Sequence, residues 1–272
     1  MSSDALFAKP RVLCFDKPRW DGPLDFDDKP SWIHASMEAI LHRFEKQGLY
    51  LQPMEQDHIQ AARALFPRAN GWAPKSPPDV LAVIRTIRFG HPMVVLDSRG
   101  ELAGYLLQDF LGDDQKTSFG WDMCLLPQYR GQGLARALMR YALLQAMRLG
   151  SKVRRTFASS KAPPVLMNAL NHLGCIAEDF YPSQSGQETP RLALCIPLQP
   201  EAMLCQVDPT RLNRFTSAAQ KNVDYQLIYC SDHDAISEIY MQKTFKIAAY
   251  IPGHAGSEPT FLALSNKVLQ IR

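Results

Sequence analysis

The stretch Leu125-Leu126-Pro127-Gln128-Tyr129-Arg130-Gly131-Gln132-Gly133-Leu134-Ala135 decides how the rest of this sequence reads. An apolar, β-type run, Thr117–Leu126, leads into it, and a helical pattern, Gly133–Leu149, leads out. A strand that feeds a glycine-spaced turn and opens a helix makes an anion site. The first helical N–H groups have no partner within the helix, and the helix dipole favours negative charge there. Gly131 and Gly133 let the backbone approach a ligand without a Cβ in the way, and Arg130 adds a cation.

Two other phosphate loops are excluded by spacing. Gly-x-Gly-x-x-Gly of dinucleotide sites is absent, and no Gly-Lys-Ser/Thr follows, as a P-loop requires. What remains is an apolar strand end, a proline, Arg-Gly-x-Gly-x-Ala and an amphipathic helix. This resembles the acyl-CoA pyrophosphate loop of the GNAT (Gcn5-related) N-acetyltransferases.

The elements around the loop extend the resemblance. Leu49–Pro53 reads as a strand, Gln56–Phe66 as a helix ended by Pro67, and Asp79–Phe89 as a second helix. Pro92–Asp97 and Glu101–Phe110 read as a hairpin turning at Ser98-Arg99-Gly100. Beyond the long helix come a strand Val153–Ser159, a helix Pro163–Leu173 and strands Cys175–Tyr181 and Arg191–Pro197. This element order over residues 49–198 is similar to the whole GNAT fold, an α/β fold with a central mixed sheet flanked by helices. Ahead of it, Ser31 is the expected cap of a helix carrying Ile33, Met37, Ile40, Leu41 and Phe44 on one face, with Gly48 at its end. Residues 1–31 are proline-rich and irregular, with an acidic cluster at Asp25, Asp27 and Asp28.

The C-terminal residues repeat part of this pattern. Residues 157–198 lie over 227–268 at a constant offset of 70, without gaps. Pro182 meets Pro252, Gly186 meets Gly256, Glu188 meets Glu258, and Leu192-Ala193-Leu194 meets Leu262-Ala263-Leu264. The expected elements agree too: strand Tyr225–Cys230, helix Asp234–Lys243 and strands Phe245–Ile251 and Thr260–Leu264. We expect three parts: an arm and helix (1–48), an acyl-CoA-binding domain (49–198) and a C-terminal βαββ half-repeat (199–272). The half-repeat has no second Arg-Gly-x-Gly, so one CoA site is expected.

The resemblance implies a co-substrate, acetyl-CoA or another acyl-CoA. It implies transfer of the acyl group to an amine by direct attack in a ternary complex. It places the thioester carbonyl on the backbone N–H of Leu125, with Leu126 beside it, and the pyrophosphate on the N–H groups of Arg130, Gly131, Gln132, Gly133, Leu134 and Ala135. A carboxylate on the strand before the loop serves many members as base. Asp122 is the carboxylate on this strand, with a solvent-facing strand-end residue as its plainer reading. The family's frequent thiolate-protonating tyrosine is replaced by Leu170 here, so either the thiolate leaves without a protein acid or another group serves, such as His172 or Tyr181. Tyr240 holds the tyrosine place in the repeat, where it reads first as a core residue, and otherwise as a relic or a borrowed acid. Cys124 lies near the expected thioester, but no basic partner can be placed beside it, which does not favour a covalent route. Trp72 and Arg68 are candidates for the acceptor pocket.

Composition sets outer limits. The chain has 272 residues, and a net charge of +3 does not argue for nucleic acid or membrane. The six cysteines form no C-x-x-C pair and no metal spacing, so no metal is expected and they read as reduced, in a cytoplasmic protein. The acceptor is a small-molecule or peptide amine, and a homodimer stays open. Two further readings compete: an acyl-thioester decarboxylase or hydrolase on the same scaffold, and a non-catalytic acyl-CoA-binding protein.

Overall fold

The computed structural model describes residues 14, 20–22, 28–69, 79–111, 116–182, 190–203, 205–208, 210–212, 224–253 and 257–269. Trp72, Asp25, Asp27, Gly186, Glu188 and Gly256 lie outside them. The architecture is mixed α/β, with a seven-stranded sheet and a second sheet of three strands. By internal contacts the chain divides into two units, Trp20–Arg154 and Arg155–Arg272, the latter with Met1–Arg19.

The unit Trp20–Arg154 begins with α1, Lys29–Glu45. The expected cap, Ser31, is corrected to Asp28. Its carboxylate accepts from both the backbone N–H and the hydroxyl of Ser31, and Pro30 sits in the first turn, where its missing N–H costs nothing. Trp32, Ile33, Ser36, Met37, Ile40 and Phe44 are buried along one face. Strand β1 (Leu49–Pro53) is followed by α2 (His58–Ala69). Pro67 does not end α2 but lies in its last turn, where few backbone bonds remain to lose. Helix α3 (Val80–Phe89) is capped by the Asp79 side chain. Strands β2 (Met93–Asp97), β3 (Leu102–Leu111) and β4 (Thr117–Leu125) complete an antiparallel order β1-β2-β3-β4. A core of Ile59, Leu65, Phe66, Val83, Val94, Tyr105, Leu107 and Cys124 joins α2 and α3 to these strands. A 3-10 turn, Pro127–Tyr129, leads to α4 (Leu134–Arg148).

The unit Arg155–Arg272 holds the order β5-β7-β6 for Val153–Ser159, Arg191–Pro197 and Ile176–Tyr181. Its second sheet has the order β8-β10-β9 for Tyr225–Tyr229, Thr260–Ser265 and Phe245–Ile251. The strand order therefore repeats along with the sequence. The helices repeat as well. Helix α5 (Pro163–Leu166), continued by a π-helical turn (Met167–His172), lies 70 residues before its counterpart His233–Gln242. The expected plain α-helix Pro163–Leu173 is thus wider in its second half.

Each helix reaches the other half. The Asn171 side chain donates to the Tyr250 carbonyl at 2.7 Å and accepts the Tyr250 N–H at 2.9 Å. The Tyr240 hydroxyl donates to the Ala177 carbonyl of β6 at 3.1 Å. A packed core of Ile176, Val207, Ala248, Ile251, Leu262 and Leu264 lies between. Repetition thus supplies a surface that each βαββ piece lacks alone. No helix among the described residues is long and apolar enough to cross a membrane.

Candidate functional site

The loop between β4 and α4 is built from two left-handed glycines, Gly131 (φ +78°) and Gly133 (φ +74°). Gly133 is the N-cap of α4, and no side chain caps this helix end. The first amides of α4 therefore keep their donors for something other than the helix. Donor use along the loop is uneven. The Arg130 N–H goes to the Pro127 carbonyl at 3.1 Å, closing the 3-10 turn. Gly131, Gln132, Gly133, Leu134 and Ala135 follow it through the loop into the first turn of α4. The Arg130 guanidinium keeps its charge and is fixed by two backbone carbonyls. Its Nε donates to the Leu125 carbonyl at 3.1 Å and its Nη2 to the Ala69 carbonyl at the end of α2.

The end of β4 distinguishes two neighbouring amides. The Leu126 N–H donates to the Ala103 carbonyl of β3 at 3.0 Å. Leu125 is the register partner of Gly104, one step along. In an antiparallel pair hydrogen-bonded and non-hydrogen-bonded residues alternate, so the Leu125 N–H points away from β3. Of the two, Leu125 is the amide that β3 does not use. Gly104 permits this close register: a Cβ there would stand 2.6 Å from the Cys124 carbonyl oxygen.

Asp122 sits on β4 beside a bulge. Leu107 pairs with Asp122 but Gln108 pairs with Gly120, so Trp121 is the extra residue. Trp121 is exposed and packs edge-on against Phe119 at 4.9 Å between ring centroids. The Asp122 carboxylate takes two donors, the Met123 N–H at 2.9 Å and the Tyr105 hydroxyl at 2.8 Å. Tyr105 is fully buried. Burial first, then the Asp122 charge and the neighbouring Cys124 thiol, push its pKa far above the ordinary phenol value, so it stays a donor. Sequence reading misses Tyr105 because its contact with Asp122 is diagonal: Tyr105 pairs in register with Cys124, and Asp122 with Leu107. Cys124, the register partner of Tyr105, is buried.

Tyr240 stands in the unit Arg155–Arg272 with its hydroxyl between the Ala177 carbonyl and the Ile247 N–H, which donates to it at 3.4 Å. Burial raises its pKa. Leu170 is fully buried, and Tyr181 is half exposed with its ring edge-on to Phe157 at 5.4 Å. Arg68 is exposed at the end of α2. Among the described residues no group of three His, Cys, Asp or Glu could hold a metal ion.

Residues 51–161 match the model of the acetyltransferase (GNAT) family, a segment that contains the loop, Tyr105, Asp122 and Cys124. Comparison with curated proteins gave no match. Solved structures with a similar fold include a GNAT superfamily phosphinothricin acetyltransferase from Sinorhizobium meliloti in complex with AcCoA. It is 16% identical, with 55% of this chain and 88% of that chain covered and a TM-score of 0.46. An N-acetyltransferase from Staphylococcus aureus Mu50 is 13% identical, with 56% and 99% covered and a TM-score of 0.46. The NatC complex bound to Gag peptide and CoA is 12% identical, with 56% and 99% covered and a TM-score of 0.47.

Proposed function

We propose that this chain is an acyl-CoA-dependent N-acyltransferase, most simply an N-acetyltransferase. The observation that carries this reading is the α4 N-terminus. It begins at a left-handed glycine, has no side-chain cap, and lies in the segment matched by the GNAT model. A pyrophosphate would be held by the amides of Gly131, Gln132, Gly133, Leu134 and Ala135.

The chemistry then follows from what the neighbouring groups can do. The Leu125 N–H donates to the thioester carbonyl oxygen, where negative charge builds as the amine adds. Asp122 accepts the amine proton, directly or through one water, with the Tyr105 hydroxyl holding its second oxygen. The C–N bond forms, the C–S bond breaks, and CoA leaves as a thiolate. A thiol with a pKa near 8.5 is a tolerable anionic leaving group near neutral pH, so a leucine at position 170 does not stop the reaction. The acceptor is an amine on a small molecule or a peptide.

The test is calorimetric titration of the purified chain with acetyl-CoA, followed by thiol release assayed across a panel of amines. Binding together with amine-dependent CoA release is expected. CoA release at the same rate without any amine would replace this reading with thioester hydrolysis. No binding of any CoA thioester would remove it.

A further inference from the structure

Three residues N-terminal to the matched segment pack on the loop and on α4. Arg43, near the C-terminus of α1, donates from Nη2 to the Gln132 carbonyl at 2.8 Å and from Nη1 to Asp21 at 2.8 Å. The second oxygen of Asp21 accepts from Arg140 of α4 at 2.7 Å, and Arg140 is almost wholly buried. Trp20 lies against the Arg140 guanidinium at 4.8 Å and stacks on Trp32 at 5.7 Å. The Trp20 Nε1 donates to the Ser36 hydroxyl at 3.1 Å, fixing the segment onto α1.

We propose that Arg43, held by Asp21, is a positioning residue that presets the phosphate-binding loop. This rests on reading that loop as the seat of the CoA pyrophosphate. The argument turns on one peptide plane. The carbonyl of Gln132 and the N–H of Gly133 belong to the same planar trans amide, and so point in opposite directions. Pinning the Gln132 oxygen to Arg43 therefore turns the Gly133 N–H away from the Arg43 head group. It also keeps a carbonyl oxygen from facing an incoming anion. A turn with glycines on both sides of Gln132 is otherwise free to rotate, and ordering it on binding would lower affinity. Asp21 takes the other terminal nitrogen of the guanidinium, so Arg43 stays on the carbonyl. Gly133 leaves room for this contact: a Cβ there would stand 2.6 Å from Arg43 Nη2, and Arg43 would have to shift.

The experiment uses the full chain and compares wild type, Arg43→Met and Arg43→Lys. Two ligands are titrated, CoA by calorimetry and S-acetylpantetheine, which lacks the pyrophosphate, by NMR. We expect CoA to bind Arg43→Met about tenfold more weakly, the scale of one charge-assisted hydrogen bond. S-acetylpantetheine should bind all three proteins equally. Arg43→Lys, which keeps one charged donor, should fall between. Equal CoA affinity in wild type and Arg43→Met overturns the proposal. So does a parallel loss for both ligands, which marks a merely structural role. If wild type itself binds no CoA, the reading of the loop fails rather than the role of Arg43 within it.

Discussion

The Tyr105 hydroxyl donates to Asp122 Oδ2 at 2.8 Å, a diagonal contact between β3 and β4 in which Tyr105 pairs with Cys124 and Asp122 with Leu107. The tyrosine body belongs to the core beneath α2 and α3, while its polar tip serves a residue that is not fully buried. A carboxylate with one oxygen tied to its own strand and one to a buried phenol has little rotational freedom. If Asp122 is the base, Tyr105→Phe should lower kcat about tenfold with the KM for acetyl-CoA unchanged. Asp122→Asn should lower kcat by about two to four orders of magnitude. Steady-state kinetics of the double variant gives the check. Its loss should be close to that of Asp122→Asn alone, because the two groups act as one unit.

Gly131 and Gly133 share a backbone conformation but not an environment. A Cβ at Gly131 meets nothing within 4 Å, whereas at Gly133 it would stand 2.6 Å from Arg43 Nη2. Gly131→Ala should therefore cost about 1 kcal/mol of stability, the strain of a left-handed alanine. Gly133→Ala should cost more. The difference should close in an Arg43→Ala background, where the clash is gone and the backbone strain remains. Urea denaturation of the four proteins measures this. A gap between the two glycines that persists without Arg43 would place the cause elsewhere.

Local order was legible in the sequence to a large degree, because the signals are local. Strands β1, β5, β7 and β9 have the bounds that apolar runs and turn residues gave them. The fixed offset of 70 residues anticipated a second βαββ unit, and its order β8-β10-β9 copies β5-β7-β6, but it did not announce that these strands form a sheet of their own. Departures came where a side chain overrode a local signal. Asp28 rather than Ser31 caps α1 because an aspartate three residues earlier can reach both donors of Ser31. The π-helical turn at Met167–His172 coincides with Asn171, which is spent on the Tyr250 backbone 79 residues away. No periodicity announces such a bond. Within the candidate site the loop glycines could be read from pattern, and Asp122 from the family resemblance. Tyr105, Asp21 and Arg43 could not, since a diagonal cross-strand contact and long sequence separations bring them in.

Asn171 and Tyr240 make opposite ends of one pseudo-symmetric attachment, and they should differ in what they cost. Asn171 is completely buried and satisfies both backbone groups of Tyr250. Asn171→Leu strands both, so it should destabilise by roughly 2–4 kcal/mol. Tyr240→Phe removes one hydroxyl and should cost about 1 kcal/mol. If Tyr240 attaches the halves rather than protonating a thiolate, kcat stays within about twofold of wild type, a small change beside the effect of losing a general acid. Thermal denaturation and initial rates on the same preparations decide it. A large fall in kcat for Tyr240→Phe at unchanged stability would return the tyrosine to the list of catalytic residues.

Asp21 makes a pH-dependent contribution of known sign. Burial disfavours its charged form, but the hydrogen bonds and charges of Arg140 and Arg43 together outweigh this and hold its pKa below 3.8. The unfolded chain thus binds the proton more readily than the folded one. The stabilisation is fully present above about pH 3.8 and is lost as pH falls through the lower folded value. Asp21→Asn should be less stable than wild type at pH 7 and 5, with the gap narrowing below pH 3.8. Urea midpoints at pH 7, 5 and 3 test this. A gap of constant size across that range would mean that the ion pair is not its source.

The cysteines separate a covalent route from a direct one. Burial first, then the neighbouring Glu178, pushes the Cys195 thiol up to about 12. Burial and Glu258 do the same for Cys230. Neither should be alkylated by iodoacetamide at pH 8 while the chain is folded, because the thiolate is the reactive form. Cys205, the less buried of the described cysteines, should be modified first. Cys124 is the informative case, since it lies against the Tyr105 hydroxyl near the candidate base. A direct attack by the amine needs nothing from it but volume. Cys124→Ala should keep kcat within about threefold of wild type, with a stability loss of about 1 kcal/mol for the small cavity. An acyl group found on Cys124 by mass spectrometry after acetyl-CoA is added without an acceptor, together with loss of turnover in Cys124→Ala, would replace the ternary-complex route with a two-step one.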